Sequence, residues 1–249
     1  NHKSFRQVTW TIASMLTQLQ PGRASMLSAM RTVVFDLDGT LADTAADLLA
    51  AANACFRGLG HGDLLTPGDA ATAFQGGRAM LRLGFSRLGA GGEAAVDAQY
   101  PVLLRAYADA ICVHTRLYPG AAAAVQALRG AGFATAICTN KPEGLARLLL
   151  RQLGVADLFG DVVGADTLPV RKPDPAPLVE ALARVGGTAA RALLIGDTST
   201  DRDTGRNAGV PVALVTFGPD GSAVARLQPE ALLHHFDDLP GLADRLVPS

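Results

Sequence analysis

At 249 residues the chain has room for one large domain, or for a core that carries an insertion. Apolar residues make up 49%, charged residues 18% and the net charge is -1, which supports a full core and excludes the basic face that nucleic-acid binding needs. Cys55, Cys112 and Cys138 form no C-x-x-C pair and fit free thiols in a reducing cytoplasm; the absence of an apolar run of about 18 residues argues against a membrane-spanning helix.

Residues 1–30 contain Lys3, Arg6 and Arg23 but no acidic residue, and Val8, Ile12, Met15, Leu16 and Leu19 recur at helical spacing. The segment reads as an N-terminal extension, non-native or over-extended, ahead of a start at Met26 or Met30. An acid-free, Ser-rich amphipathic stretch also has the composition of a transit peptide.

The first strand, predicted at Thr32–Phe35, runs into Asp36-Leu37-Asp38-Gly39-Thr40. Side chains alternate along a strand, so Asp36 and Asp38 project from the same side near its end. Gly39 lets the backbone leave sharply. Two acids this close repel each other unless a cation or a shared proton lies between them. A solvated turn is the plain alternative.

Between Thr44 and about His114 the pattern is helical, with helices predicted over Asp47–Leu59, Gly77–Leu88 and Glu93–Val113. This predicts a small all-helical insertion, residues 44–114, on a core of residues 31–43 and 115–249. Such a module can close over a site and exclude water. Gly76-Gly77-Arg78 opens the second helix, where backbone donors and a guanidinium could take a carboxylate; the alternative for Arg78 is a solvated helix position. Leu117-Tyr118-Pro119-Gly120 marks the return to the core.

Beyond it, short apolar strands are predicted at Ala134–Cys138, Val162–Gly164, Ala192–Ile195, Val212–Val215 and Leu232–His235. Helices are predicted between them at Ala121–Arg129, Leu145–Leu153, Pro175–Val185 and Asp201–Ala208. Strands without a polar face are covered on both sides. Alternating β and α elements predict an α/β fold, a Rossmann-like, doubly wound parallel sheet.

Ligands of such a sheet bind beyond the carboxyl ends of its strands. Those ends carry Asp36 and Asp38, then Thr139 and Asn140, then Gly196-Asp197-Thr198-Ser199-Thr200-Asp201, with Arg171-Lys172-Pro173 in a loop between. Asp36, Asp38 and Asp197 are hard oxygen ligands that suit Mg²⁺, while Asp201 could hold a ligand water or orient Lys172. Thr139, the backbone around Asn140, and Lys172 are donors for an anion. A phosphate between Mg²⁺ and Lys172 would have its charge balanced on two sides, so the site reads as phosphoryl transfer. Cys138, on a buried strand, reads as core.

Asp36 to Thr40, Thr139, Lys172-Pro173, and Gly196, Asp197 and Asp201 resemble, in order, the four signature motifs of the haloacid dehalogenase superfamily. The helical interval resembles the cap that this family inserts after its first strand. Thr139-Asn140-Lys141-Pro142, Gly164 to Pro169 and Arg171 to Pro175 are similar to the phosphoglycolate phosphatase-like subfamily. The resemblance implies Asp36 as nucleophile and Asp38 as general acid and base. It also implies Thr139 and Lys172 on the phosphoryl group, and Mg²⁺ held by Asp36, the Asp38 carbonyl and Asp197, with Asp201 as a further ligand or a supporting acid.

The implied function is Mg²⁺-dependent hydrolysis of a small phosphorylated metabolite, foremost 2-phosphoglycolate, through an aspartyl phosphate. A sugar phosphate, a nucleotide, pyrophosphate, a phosphomutase reaction, or a binding module without turnover are the alternatives. Neither a nucleic acid nor a membrane is expected as partner, and monomer and homodimer are both open.

Overall fold

The computed structural model describes residues 29–248; the predicted N-terminal helix over Val8–Leu19 lies outside them. Six parallel strands form one sheet in the order β5-β4-β1-β6-β7-β8. They are β1 (Met30–Phe35), β4 (Ala134–Cys138), β5 (Asp161–Val163), β6 (Gly187–Gly196), β7 (Val212–Val215) and β8 (Ala231–Leu233). β1 lies at the centre, Val34 registered with Ala136 on one side and Leu194 on the other. Its alternate side chains feed two cores. Val33 and Phe35 enter the one that includes Leu128 of α5 (Ala121–Gly130), Leu149 of α6 (Glu143–Gln152) and Leu242 of α9 (Leu239–Leu246). Val34 enters the other, with Leu178 and Leu182 of α7 (Ala176–Arg184). Each large apolar side chain so enclosed contributes about 1.5–3 kcal/mol relative to exposure. The fold is therefore a Rossmann-like α/β sheet covered on both faces.

Some boundaries differ from the predicted ones. β6 starts five residues early, at Gly187, because its first half alternates between exposed and half-buried positions and lacks the apolar run of its second half. The following helix, α8 (Ser199–Ala208), begins before Asp201 because Asp201 caps it: Thr198 and Asp201 form a reciprocal capping box.

Two short strands, β2 (Ala42–Asp43) and β3 (Arg116–Leu117), pair antiparallel. Between them lie α1 (Ala45–Gly58), a 3₁₀ turn with α2 (Ala70–Ala73), α3 (Gly77–Arg87) and α4 (Glu93–Asp109). Phe56 of α1 meets Phe85 of α3 edge-on, ring centroids 5.3 Å apart. The last helix ends at Asp109, short of the predicted Val113, because the chain must turn back to the core. Asp47 fastens that turn, accepting from the His114 and Thr115 amides and the Thr115 hydroxyl. No helix among the described residues is long and apolar enough to cross a membrane.

Candidate active site

The carboxyl ends of β1, β4 and β6 converge beneath the helical module on a cavity of about 660 Å³. Asp36, Asp38, Thr139, Lys172 and Asp197 line it from the sheet, and Arg78 and Tyr107 from the helices. Residues as far apart in sequence as Asp36 and Asp197 thus face one space because a parallel sheet brings all its strand ends to one edge.

Asp36, Asp197 and Asp201 each offer a carboxylate oxygen, all within 4.8 Å of one another. Lys172, at 3% exposure, is the nearest cation, with Nζ 2.6 Å from Asp201 Oδ1 and 3.2 Å from Asp36 Oδ2. Burial pushes the Asp36 carboxyl up to about 6; Lys172 pulls it back, while the charges of Asp201 and Asp38 add to the rise. Burial, then the charges of Asp201 and Asp36, hold Asp197 well above the ordinary carboxylate range. Burial also disfavours the Lys172 ammonium, but Asp201 and Asp36 outweigh it and keep Lys172 protonated above its ordinary value.

Asp197 carries the clearest sign that the site suits a cation. Its Oδ1 accepts from the Thr40 hydroxyl at 2.8 Å, whereas Oδ2 is buried with no hydrogen-bond partner. A buried carboxylate oxygen without a donor is costly. Gly39 is shaped around it: with φ +80°, a Cβ there would stand 2.4 Å from Asp197 Oδ2. Asp36 and Asp197 therefore fit a small divalent cation. Asp201 is placed differently. Its Oδ1 meets Lys172, and its Oδ2 accepts from the Asp197 and Thr198 amides and the Thr198 hydroxyl. Both oxygens are engaged within the protein, which favours its supporting role over direct ligation.

The remaining predicted residues divide. Thr139 Oγ1 accepts from the Lys141 amide at 3.2 Å, leaving its own hydrogen for an anion. The Asn140 carboxamide donates to the Lys172 carbonyl at 3.0 Å, so it braces the lysine loop and any anion contact falls to its main chain. Arg78 reaches the cavity wall already engaged, Nη1 2.5 Å from Asp97 Oδ1 and the guanidinium over the Tyr100 ring. Burial pushes the Cys138 thiol up to about 12, as its core position implies.

Lys141, named only as part of the stretch Thr139-Asn140-Lys141-Pro142, had no role predicted from the sequence. Its Nζ lies 2.7 and 2.8 Å from the two oxygens of Asp38 and 4.5 Å from the centroid of the Tyr107 ring. The available signal was its spacing: two residues after Thr139, it follows the same strand end. Tyr107, on α4, left no signal, since an aromatic at helical spacing reads as core.

Comparison with known proteins agrees with this geometry. Residues 30–209 match the model of the haloacid dehalogenase-like hydrolases, and the chain belongs to that family. Among curated relatives, a phosphoglycolate phosphatase of Mesorhizobium japonicum is 40% identical over 86% of this chain and 96% of its own. One from Rhodospirillum rubrum is 40% identical over 87% and 90%. These relatives place the chemistry among the phosphatases. The crystal structure of a predicted phosphoglycolate phosphatase from Haemophilus somnus superposes with a TM-score of 0.75 at 23% identity, covering 87% of this chain and 99% of that one, and shares the fold.

Proposed function

We propose that this phosphatase hydrolyses 2-phosphoglycolate, with Asp36 as nucleophile and Mg²⁺ at the acidic cluster. The observation that carries the reading is the pairing of Asp36, beside Lys172, with the unpartnered oxygen of Asp197 on the floor of one cavity. Mg²⁺, held by Asp36, Asp197 and the main-chain carbonyl of Asp38, would neutralise phosphate charge so that an anionic nucleophile can approach.

Asp36 attacks phosphorus in line; the aspartyl–phosphate bond forms as the bond to glycolate breaks. Asp38 in its acid form gives its proton to the departing alkoxide. It then takes a proton from the water that splits the aspartyl phosphate, releasing phosphate and restoring Asp36. Thr139 and Lys172 hold the phosphoryl oxygens. Asp201 fixes Lys172 between itself and Asp36, and Asn140 fixes the loop that carries it.

Choice of substrate falls to the groups that line the rest of the cavity, the helical module among them, because Asp36, Thr139 and Lys172 handle only the phosphoryl group. A cavity of about 660 Å³ is spacious for so small an acid, which keeps a sugar phosphate as the second reading. Phosphate release with Mg²⁺ and with EDTA, across 2-phosphoglycolate, hexose phosphates, nucleotides and pyrophosphate, tests both. A Mg²⁺-dependent rate highest for 2-phosphoglycolate supports the first reading. A hexose phosphate at the head of the ranking replaces it with the second.

A further inference from the structure

Lys141 conflicts with the role just given to Asp38. Its ammonium donates to both Asp38 oxygens, at 2.7 and 2.8 Å. While that pair persists, neither oxygen is free to serve a leaving group. The pair is also enclosed: the Lys141 side chain is 4% exposed and the Asp38 side chain 18%. An enclosed ammonium does not simply let go, because a bare buried charge is costly. It can, however, exchange one anion for another, and a lysine carries its charge on a flexible stem.

The substrate itself supplies the second anion. In 2-phosphoglycolate one methylene separates the carboxylate from the ester oxygen. With phosphorus at Asp36 and the ester oxygen at Asp38, the carboxylate must lie beside Asp38, where Lys141 forms the cavity wall. Tyr107 backs the ammonium from the helical module, its ring face toward Nζ. Arg78, the other cation considered for this carboxylate, already has Asp97 as partner and is 40% exposed.

We propose that Lys141 is an exchangeable clamp: at rest it holds the Asp38 carboxylate, and a substrate bearing an anionic group one carbon from the ester draws the ammonium to itself and frees Asp38 to take up from solvent the proton that it then gives the leaving group. This rests on the roles of Asp36 and Asp38 proposed above. Selectivity then enters kcat as well as KM. A neutral ester offers Lys141 no exchange partner and leaves the acid engaged.

The test uses the full chain with Mg²⁺, comparing 2-phosphoglycolate with ethyl phosphate, which lacks the carboxylate. Lys141→Met keeps an apolar stem against Tyr107 and removes the charge; Lys141→Arg keeps the charge. In Lys141→Met, kcat/KM for 2-phosphoglycolate is expected to fall about 10- to 100-fold, the loss of one charge-assisted contact. Turnover of ethyl phosphate rises, so the preference collapses, and Lys141→Arg restores part of it. Equal falls on both esters, or an unchanged preference with an unchanged melting temperature, overturn the clamp while leaving the substrate reading intact. A wild-type enzyme that takes ethyl phosphate as readily as 2-phosphoglycolate overturns the substrate reading, and the clamp with it.

Discussion

Lys172 and Asp201 form a fully enclosed ion pair, Nζ to Oδ1 2.6 Å, with side-chain exposures of 1% and 0%. Asp201 is itself held by the first turn of α8, so the strand β6, its helix and the Lys172 loop are locked to one another. Removing one partner of such a pair leaves an uncompensated buried charge, costing about 3–5 kcal/mol. The ammonium is thereby fixed 3.2 Å from Asp36, beside the cluster of Asp36, Asp197 and Asp201.

Asp36→Asn should lower turnover by at least about 10³-fold while the melting temperature stays near that of the wild type, since the change removes the proposed nucleophile but not volume. Phosphate release and a thermal melt on the same preparation decide it. Substantial residual turnover would remove Asp36 as the nucleophile.

Asp197→Asn should act with opposite signs according to metal. Without Mg²⁺ the variant should melt no lower than the wild type, because a buried negative charge beside two other acids is gone. With Mg²⁺ at about 100 times Kd the wild type should gain about 2.7 kcal/mol. Each kcal/mol moves the melting temperature by roughly 2–4 °C at this chain length. The variant should lose most of that gain. An equal Mg²⁺ shift in both proteins would place the ion elsewhere.

Arg78→Ala should raise KM for 2-phosphoglycolate several-fold and for a neutral aryl phosphate less. Its guanidinium lies on the cavity wall with Asp97 already bound, so its share in carboxylate recognition is smaller than that of Lys141. Steady-state kinetics on the two esters measure this, and equal effects would take Arg78 out of substrate recognition.

Asp69→Asn should loosen the helical module in a pH-dependent way. The Arg87 guanidinium, with help from the Thr66 amide, lowers the Asp69 carboxyl from 3.8 to about 2. The folded state thus binds this proton more weakly than the unfolded chain does. The stabilisation is present above about pH 4 and is lost as pH falls toward 2. Solvent screening limits it to about 1 kcal/mol. Wild type and variant should differ in melting temperature at pH 7 and converge near pH 2; a constant difference would assign the effect to packing.

Much of the site was legible because its chemistry is carried by short motifs at strand ends. An apolar run followed by Asp36 and Asp38 specifies both a buried strand and what protrudes from its end. The run Ala192–Ile195, followed by Gly196 and Asp197, does the same for β6. Gly39 was legible as a turn, but not as the space that Asp197 Oδ2 requires. The first half of β6 was illegible because its alternating burial lacks an apolar run. The 3₁₀ turn and α2 near residue 70 were missed because four-residue helices are too short to show a period.

The sequence alone determined the α/β class, the order of the six sheet strands and of most of the long helices along the chain, and the acids and lysine that gather at the candidate site. These follow from local periodicity and from residue types whose chemistry survives any context. Tertiary structure decided which charges meet. Lys141 grips Asp38 across 103 positions, Arg78 is claimed by Asp97, and Asp201 spends both oxygens on Lys172 and a helix start. A charge's partner is set by distance in a folded, poorly solvated space, and no pattern of neighbouring residues encodes that distance.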